Sequence, residues 1–439
     1  MCQKSRISWK KFDMDKINEK YSKNIFNFSK EIFPICRSLT GAGNRKTLKL
    51  IKKKIPKLKI YEIKSGSKVF DWKVPKEWNI KNAYVIGPEN KKIIDFQKNN
   101  LHIVSYSIPV NKKMSLNKLK KKLHFNNQIK DAIPYVCSYY KKDWGFCLTK
   151  NLFNKLKKGI YKVRIDSNLK NGSMSYADLV IKGKSKKEIL LTTYICHPSM
   201  GNNEVSGPAL LTYLADYIYK IKDRKYSYRI VFAPENIGSI VYIKKNFQKL
   251  KNNVMAAYNI TCVGDNKRYS FLYSKVENSL SDRVGLAAIR RIRKKFKFYR
   301  FLDYSGSDER RYNSPGVDIP MSSIMRSKYG SYKEYHTSKD NLNFISQKGF
   351  QGSFSIYRNI IDIFEKSIFY KVKTICEPQL GKRNLYPIVS KWPNKNYKKL
   401  VGNMNSFLSL ADGKHNIEEI AKKIKISIKD LKQIIIKLE

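Results

Sequence analysis

Short apolar runs alternate with longer amphipathic segments from about residue 165 to residue 366. The apolar runs are typical of strands buried on both faces, and they are EILLTTYIC (188–196), YRIVFAP (228–234), VMAAYNITCV (254–263) and IPMSSIM (319–325). The amphipathic segments have helical spacing and are SGPALLTYLADYIYKI (206–221), SIVYIKKNF (239–247), LSDRVGLAAIRRIRKKF (280–296) and GFQGSFSIYRNIIDIFEK (349–366). This alternation predicts an α/β fold whose mostly parallel sheet is covered by helices on both faces.

Segments of a different character flank this pattern. Residues 14–60 show helical spacing interrupted by SLTGAG, whereas the next hundred residues carry short β-like runs separated by Pro, Gly and Asn. The last 45 or so residues read helix, turn, helix, turn, helix, with Asn416 or a neighbour and Ser427 as candidate N-caps. We therefore predict an α/β domain over 1–60 and 165–375, an inserted β-rich subdomain over 61–164, and a C-terminal domain over 376–439.

The predicted insertion is rich in large aromatic residues. They are Trp72, Trp78, Tyr139, Tyr140 and Trp144. We interpret them as the small core of the insertion, because aromatic side chains bury a large apolar area each. A platform for an aromatic or ring-shaped substrate is the alternative.

The chain is strongly basic, with 89 Lys and Arg against 35 Asp and Glu and a net charge of +54. A positive face that binds nucleic acid is one interpretation. However, most of the excess is Lys spread over the whole length, together with many Asn and Ile, which favours a compositional bias over a dedicated surface.

Other features of the composition concern the cellular compartment. The seven cysteines are scattered and form no CxxC pair, which favours reduced thiols. The N-terminal segment lacks the apolar core of a signal peptide, and no apolar run approaches the 20 or so residues that cross a membrane. We expect a cytoplasmic protein that does not insert into membranes.

Polar, chemically capable residues follow the predicted strands. They are His197, Glu235, Asn259, Thr261, Asp265 and His336. Because ligands bind beyond the carboxyl ends of strands in open α/β sheets, these residues should meet at one edge. Neutral imidazole is a common zinc ligand, and a nearby carboxylate can act as ligand or general base. Since each His alone would more often be structural, the hypothesis of a metal site depends on their joint placement.

Longer segments carry a family resemblance. They include FPICRSLTGAGNRKTL (33–48), AIPYVCSYYKKDWGFC (132–147), ICHPSMGNNEVSG (195–207), FAPENIGSI (232–240), GSDERRYNSPG (306–316), MRSKYGSYKEYHTSKDN (325–341) and LADGKHNIEEIA (410–421). In these segments the chain resembles a family of bacterial proteins with an aminopeptidase-like domain, often described as linked to polysaccharide biosynthesis. The resemblance implies a zinc-exopeptidase-like α/β domain, an inserted β subdomain over its mouth, and a winged-helix-like tail.

The resemblance also implies site residues. His197 and His336 match the first and last zinc-binding histidines of the exopeptidases, and Glu235 matches one member of a paired carboxylate, with the base position favoured. Asn203 stands where a bridging Asp is expected, Asn236 replaces the second carboxylate of the pair, and Thr261 occupies a further ligand position.

Two zinc ions require more negative charge than these residues supply. We therefore favour one zinc over two. It would be held by His197, His336 and a carboxylate, either Glu235 or Glu204, with Asn203 at the former bridging position. A metal-free remnant is the alternative.

Further candidates are less specific. Asp308, Glu309 and Arg310 follow an SGS segment and either line the pocket or form a salt-bridged loop. Arg326 follows a strand, where it would bind a substrate carboxylate or take part in a structural ion pair. Asp340 lies four residues after His336 and either orients that histidine or caps the following turn.

Three functions are consistent with these residues. The leading hypothesis is a metal-dependent hydrolase of amide bonds in a small peptide or an aminoacylated sugar intermediate. The second is a binding protein that has lost catalysis, and the third is a nucleic-acid-binding regulator that uses the C-terminal domain. Because the chain ends at Glu439, where a winged helix would continue into its β-wing, we expect a truncated wing and favour a protein-interaction or lid role for the tail.

Overall fold

The computed structural model describes residues 11–139, 141–387 and 394–439. The helices are α1 (Lys11–Ile32), α2 (Ala42–Lys54), α3 (Leu116–Lys120), α4 (Lys150–Asn154), α5 (Ser206–Lys220), α6 (Ile237–Asn253), α7 (Leu280–Arg290), α8 (Phe301–Tyr304), α9 (Glu309–Tyr312), α10 (Gln347–Lys366), α11 (Lys395–Leu410), α12 (Ile417–Ile424) and α13 (Ile428–Leu438). The strands up to the insertion's end are β1 (Lys59–Lys64), β2 (Lys68–Val69), β3 (Trp72–Lys73), β4 (Glu77–Ile86), β5 (Lys92–Asp95), β6 (Val110–Ser115), β7 (Leu123–His124), β8 (Phe146–Cys147) and β9 (Ile160–Lys170). The remaining strands are β10 (Ser173–Ile181), β11 (Glu188–Tyr194), β12 (Ser227–Ala233), β13 (Val254–Asn259), β14 (Ser270–Leu272), β15 (Lys297–Tyr299), β16 (Met321–Met325), β17 (Phe369–Lys371) and β18 (Asp412–Asn416).

An eight-stranded sheet in the order β1-β10-β12-β11-β13-β16-β14-β15 organises residues up to 361. Its four central strands, β12, β11, β13 and β16, are parallel, and β10 and β14 join them antiparallel. Every residue of β11 and β12 is buried, which explains why these strands are continuous apolar runs without alternation. The predicted α/β fold with a mostly parallel sheet is confirmed.

A second, antiparallel sheet in the order β5-β4-β9-β6 lies within the segment between β1 and β10. Because β1 and β10 pair in the large sheet, the chain leaves that sheet after Lys64 and returns at Ser173, a few residues beyond the expected limits of 61 and 164. The core of the small sheet contains Trp78, with Tyr139 and Trp144 packed against it, whereas Trp72 packs against the core around α6. Tyr140 lies outside the described residues.

Residues 362–439 form a separate unit built from α11, α12, α13 and the β17–β18 pair. Its core contains Met404, Phe407 and Leu431. The side chain of Asn416 accepts a hydrogen bond from the backbone N–H of Glu419, and Ser427 caps α13 in the same manner, so the two predicted N-caps are confirmed. Across the described parts of the chain, the model contains no helix with the length and apolarity needed to cross a bilayer.

Candidate functional site

The loops after β11 and β12 meet at the carboxyl edge of the large sheet. His197 comes three residues after the end of β11, and Glu235 comes two residues after the end of β12. Nε2 of His197 lies 3.7 Å from Oε2 of Glu235, and the rings of His197 and His336 have centroids 5.5 Å apart. Parallel strands that end at one edge therefore bring together three residues separated by up to 139 positions in the chain.

The other ring nitrogen of His197 has a carboxylate partner. Nδ1 lies 2.9 Å from Oε2 of Glu204, which belongs to the π-helical turn Gly201–Val205 that leads into α5. Burial by itself lowers the pKa of His197, but its hydrogen bond with Glu204 and the charges of Glu204 and Glu235 outweigh burial and raise it. The pKa of His336, by contrast, falls to about 3 through burial and repulsion from His197, so His336 is neutral at physiological pH.

Glu235 is held at both its backbone and its side chain. Its backbone N–H donates to Sγ of Cys196 at 3.1 Å, and its Oε1 accepts a hydrogen bond from the Ser307 hydroxyl at 2.6 Å. Burial raises the pKa of Glu235, although the charge of His197 opposes that shift. Burial also raises the pKa of Cys196, so its thiol is protonated and is not an activated nucleophile.

Two of the positions that depart from the exopeptidase pattern, Asn203 and Thr261, are buried, and the Thr261 hydroxyl donates to the backbone carbonyl of Asn203 at 3.3 Å. The Tyr194 hydroxyl lies 2.6 Å from the hydroxyl oxygen of Thr261 and 3.4 Å from Oδ1 of Asn203. Nδ2 of Asn203 is buried and has no hydrogen-bond partner among the described residues. The carboxylate of Asp340 accepts hydrogen bonds from the backbone N–H groups of Asn202 and Asn203, at 2.6 and 2.9 Å, and therefore fixes the π-helical turn.

The acidic residues of the segment after α8 lie behind Glu235. Asp308 accepts a hydrogen bond from the backbone N–H of Asn236 at 2.8 Å, and burial and the neighbouring Glu235 raise its pKa. Glu309 accepts from the Tyr329 hydroxyl at 2.6 Å and from two backbone N–H groups. Neither carboxylate pairs with Arg310, which is exposed and donates to the Ser305 carbonyl.

Arg326 is buried away from these groups. Its guanidinium stacks on the ring of Tyr269, 3.7 Å from the centroid, and donates to Oδ1 of Asn266 at 2.8 Å. The side chain packs beneath α10, where Gly352 leaves room for it, and its Nε and Nη1 have no hydrogen-bond partner among the described residues.

Several non-glycine residues of the site have a left-handed backbone. They are Ser199 (φ 32°), Asn236 (φ 63°), Cys262 (φ 52°) and His336 (φ 54°). Each such residue costs free energy that the surrounding structure must offset, and such strain is concentrated at functional sites.

A cavity of about 380 Å³ opens beside Glu235. The residues that line it include the aromatic Trp72 and Tyr139, the apolar Ile237 and the basic Lys76. Glu235 therefore lies between His197 and a cavity large enough for a small organic ligand.

Comparisons with known proteins identify the family of this chain. Residues 26–367 match the model of a family described as a domain of unknown function (DUF4910), and residues 368–439 match a winged helix-turn-helix model. A Clostridium acetobutylicum protein, provisionally described as a polysaccharide biosynthesis protein with aminopeptidase-like domain, is 44% identical over 427 residues, which cover 95% of this chain and 96% of the relative. The chain belongs to this aminopeptidase-like family.

Solved structures agree with this assignment. A crystal structure from Clostridium acetobutylicum, provisionally described as a peptidase, has a TM-score of 0.81 and 42% identity and covers 96% of this chain and 95% of its own. A zinc aminopeptidase from Bacillus subtilis has a TM-score of 0.58 at 12% identity, covering 78% and 94%, and it shows the fold alone. The predicted resemblance is confirmed.

Two donor sets of this family member could hold a metal ion. Cys196, His197 and Glu204 offer donor atoms within 4.8 Å of one another, but the buried Arg37 guanidinium lies 3.4 Å from Glu204 and would repel a divalent ion there. The second set consists of His197, whose Nε2 lies 3.7 Å from the carboxylate of Glu235, and the neutral His336, whose ring centroid lies 5.5 Å from that of His197.

Two contributing residues were missed by sequence reasoning. Arg37 lies in the loop between α1 and α2, within the matching segment FPICRSLTGAG, and Ser307 lies in the SGS segment. Neither position has a periodic or motif signal of its own. Each contacts the site through a partner that is distant in the sequence. Arg37 bonds to His197, 160 residues away, and Ser307 bonds to Glu235, 72 residues away.

Proposed function

We propose that the aminopeptidase-like unit hydrolyses an amide bond in a small peptide or an aminoacylated sugar, with one zinc ion held by His197, His336 and Glu235. The observation that carries the proposal is the position of Glu235. One of its oxygens faces Nε2 of His197 at 3.7 Å, while the side chain borders the 380 Å³ cavity. Two histidines and a glutamate form a three-ligand set with an open position, as catalytic zinc sites require.

Zinc, when bound, supplies a Lewis acid that polarises the substrate carbonyl and lowers the pKa of water. The chain's own groups orient the reaction. Ser307 fixes one oxygen of Glu235, and the Trp72 and Tyr139 walls would hold the group attached to the scissile bond. Asp308, buried behind Glu235, accepts a hydrogen bond from the backbone N–H of Asn236 and so holds the segment that carries Glu235.

The experiment is zinc content per purified chain together with hydrolysis of a panel of aminoacyl p-nitroanilides and aminoacylated amino sugars. His197→Ala, His336→Ala and Glu235→Gln should each lower zinc occupancy and hydrolysis together. Asp308→Asn should lower kcat while zinc occupancy is retained. His124→Ala, which changes an exposed histidine outside the site, should alter neither quantity. Glu235→Gln with full zinc occupancy and no hydrolysis would instead make Glu235 the general base.

A binding protein without catalysis is the second candidate. It is favoured by Asn236, whose Oδ1 accepts two hydrogen bonds from Arg311, at 3.1 and 2.8 Å, where a carboxylate ligand is expected. A wild-type protein that contains no zinc, hydrolyses none of the panel and yet binds one of its members would support this candidate and overturn the hydrolase.

A further inference from the structure

A buried ion pair lies directly behind His197. Nε of Arg37 is 3.4 Å from Oε1 of Glu204, and the two side chains are 1% and 0% exposed. Nε also donates to the backbone carbonyl of His197 at 3.1 Å, while Nη1 donates to the carbonyl of Ile32 at 2.6 Å. The loop between α1 and α2 therefore holds the backbone of His197 by a hydrogen bond and places a cation at ion-pair distance from the carboxylate that faces its ring.

The chemistry of a carboxylate limits what His197 can do. An ionised carboxylate only accepts hydrogen bonds, and the guanidinium of Arg37 lies 3.4 Å from the carboxylate of Glu204. Nδ1 of His197, 2.9 Å from Glu204, must then carry a hydrogen. In the neutral ring the lone pair consequently resides on Nε2, the nitrogen that faces Glu235.

We propose that Arg37 and Glu204 are positioning residues that hold His197 in the Nδ1–H tautomer and direct its Nε2 lone pair towards Glu235. The proposal rests on the proposed function in one respect, that this lone pair binds zinc. Metal-binding histidines generally donate their second N–H to a carboxylate or carbonyl, and loss of that partner costs about 10- to 100-fold in metal affinity or activity.

A neighbouring thiol does not change this assignment. Sγ of Cys196 lies 3.4 Å from Nδ1, but sulfur is a weak acceptor, and the contact with Glu204 is shorter and charged. Arg37 is needed in addition to Glu204 because a buried carboxylate without a cation is unstable as an anion. Lysine at this position would retain the charge but would lack the planar fork that reaches Ile32, His197 and Glu204 together.

The direct test is long-range 1H–15N NMR of protein labelled at histidine, recorded at about pH 9, well above the ordinary imidazole pKa of about 6.5. His197→Gln assigns the signal. Wild-type protein should show a protonated Nδ1 and an unprotonated Nε2 at His197. Glu204→Gln and Arg37→Met should shift this ring towards a mixture of tautomers and weaken zinc binding about 10- to 100-fold. Arg37→Lys should restore part of both properties.

The matched control is the buried pair of Arg229 with Glu188, whose side chains are each 6% exposed and lie away from the site. Arg229→Met should lower stability as Arg37→Met does, yet leave the His197 signal and the zinc affinity unchanged. An Nε2–H tautomer in the wild type, which needs no variant to observe, would overturn the proposal, as would a Glu204→Gln spectrum identical to wild type.

The two proposals fail separately. A shifted tautomer in a protein that binds no zinc would support the positioning role and overturn the hydrolase. Zinc binding and hydrolysis that persist in Glu204→Gln, with an unchanged His197 signal, would support the hydrolase and overturn the positioning role.

Discussion

Gly207 lies where α5 begins against the sheet, directly after the turn that carries Glu204. A Cβ added there would lie 2.4 Å from the carbonyl oxygen of Ile260 and 2.4 Å from Oγ1 of Thr193. Ordinary contact begins at 3.4 Å, so the first turn of α5 must move away by about 1 Å in Gly207→Ala. The Thr193 hydroxyl already donates to the Ile260 carbonyl at 2.8 Å, which leaves these two groups little freedom to separate.

We expect two effects of Gly207→Ala. Overpacking of this kind costs about 1–3 kcal/mol of unfolding free energy, which exceeds the 0.5–1 kcal/mol or so that alanine gains over glycine in a helix. The displaced turn also changes the distance between Glu204 and His197, and a misplacement of about 1 Å can cost roughly 100-fold in rate.

Urea denaturation followed by circular dichroism measures the first effect, and zinc titration with peptide hydrolysis measures the second. Gly402→Ala is the matched control, since Gly402 is exposed on α11 with no atom within 4 Å of the added Cβ. That variant should stabilise its own unit by about 0.5–1 kcal/mol. The reasoning is refuted if Gly207→Ala unfolds at the wild-type urea concentration and binds zinc with wild-type affinity.

Three other predictions follow from the site and the charge. Asn203→Asp should raise zinc affinity and any hydrolytic rate, because a carboxylate replaces a buried neutral amide. An unchanged zinc titration would show that residue 203 does not face the ion. In zinc-free protein, His336 should contribute about 1–3 kcal/mol less stability at pH 4.5 than at pH 6.5, because its folded-state pKa, about 3, lies below the unfolded value of 6.5 and its contribution falls as the pH drops through that window. His336→Gln should flatten this part of a thermal-unfolding pH profile, and an equally steep profile would contradict the assignment. Binding to duplex DNA should be weak and lost with added salt, since we expect the excess Lys to be spread over many faces, whereas tight sequence-selective binding in a gel-shift assay at physiological salt would favour the regulator.

The predicted elements and the convergence of His197 with Glu235 depend on local patterns. The buried strands β11 and β12 are continuous apolar runs, and the caps at Asn416 and Ser427 act within three residues. Parallel strands place their carboxyl ends at one edge, so residues that directly follow β11 and β12 must be neighbours. For this reason the fold class and the centre of the site could be predicted from the sequence.

Only the tertiary structure decided which partner each polar group has. Glu204 was a candidate zinc ligand in the sequence, but the fold brings Arg37 from another segment to its carboxylate and leaves it facing Nδ1 of His197. The guanidinium of Arg326, a candidate substrate ligand, is stacked on Tyr269. Hydrophobic periodicity encodes which face of an element is buried, whereas a buried charge takes whichever partner the packing of distant segments brings within hydrogen-bonding distance. The sequence alone therefore determines that His197 lies at the sheet edge, and the packing determines which of its nitrogens faces Glu204 and which faces Glu235.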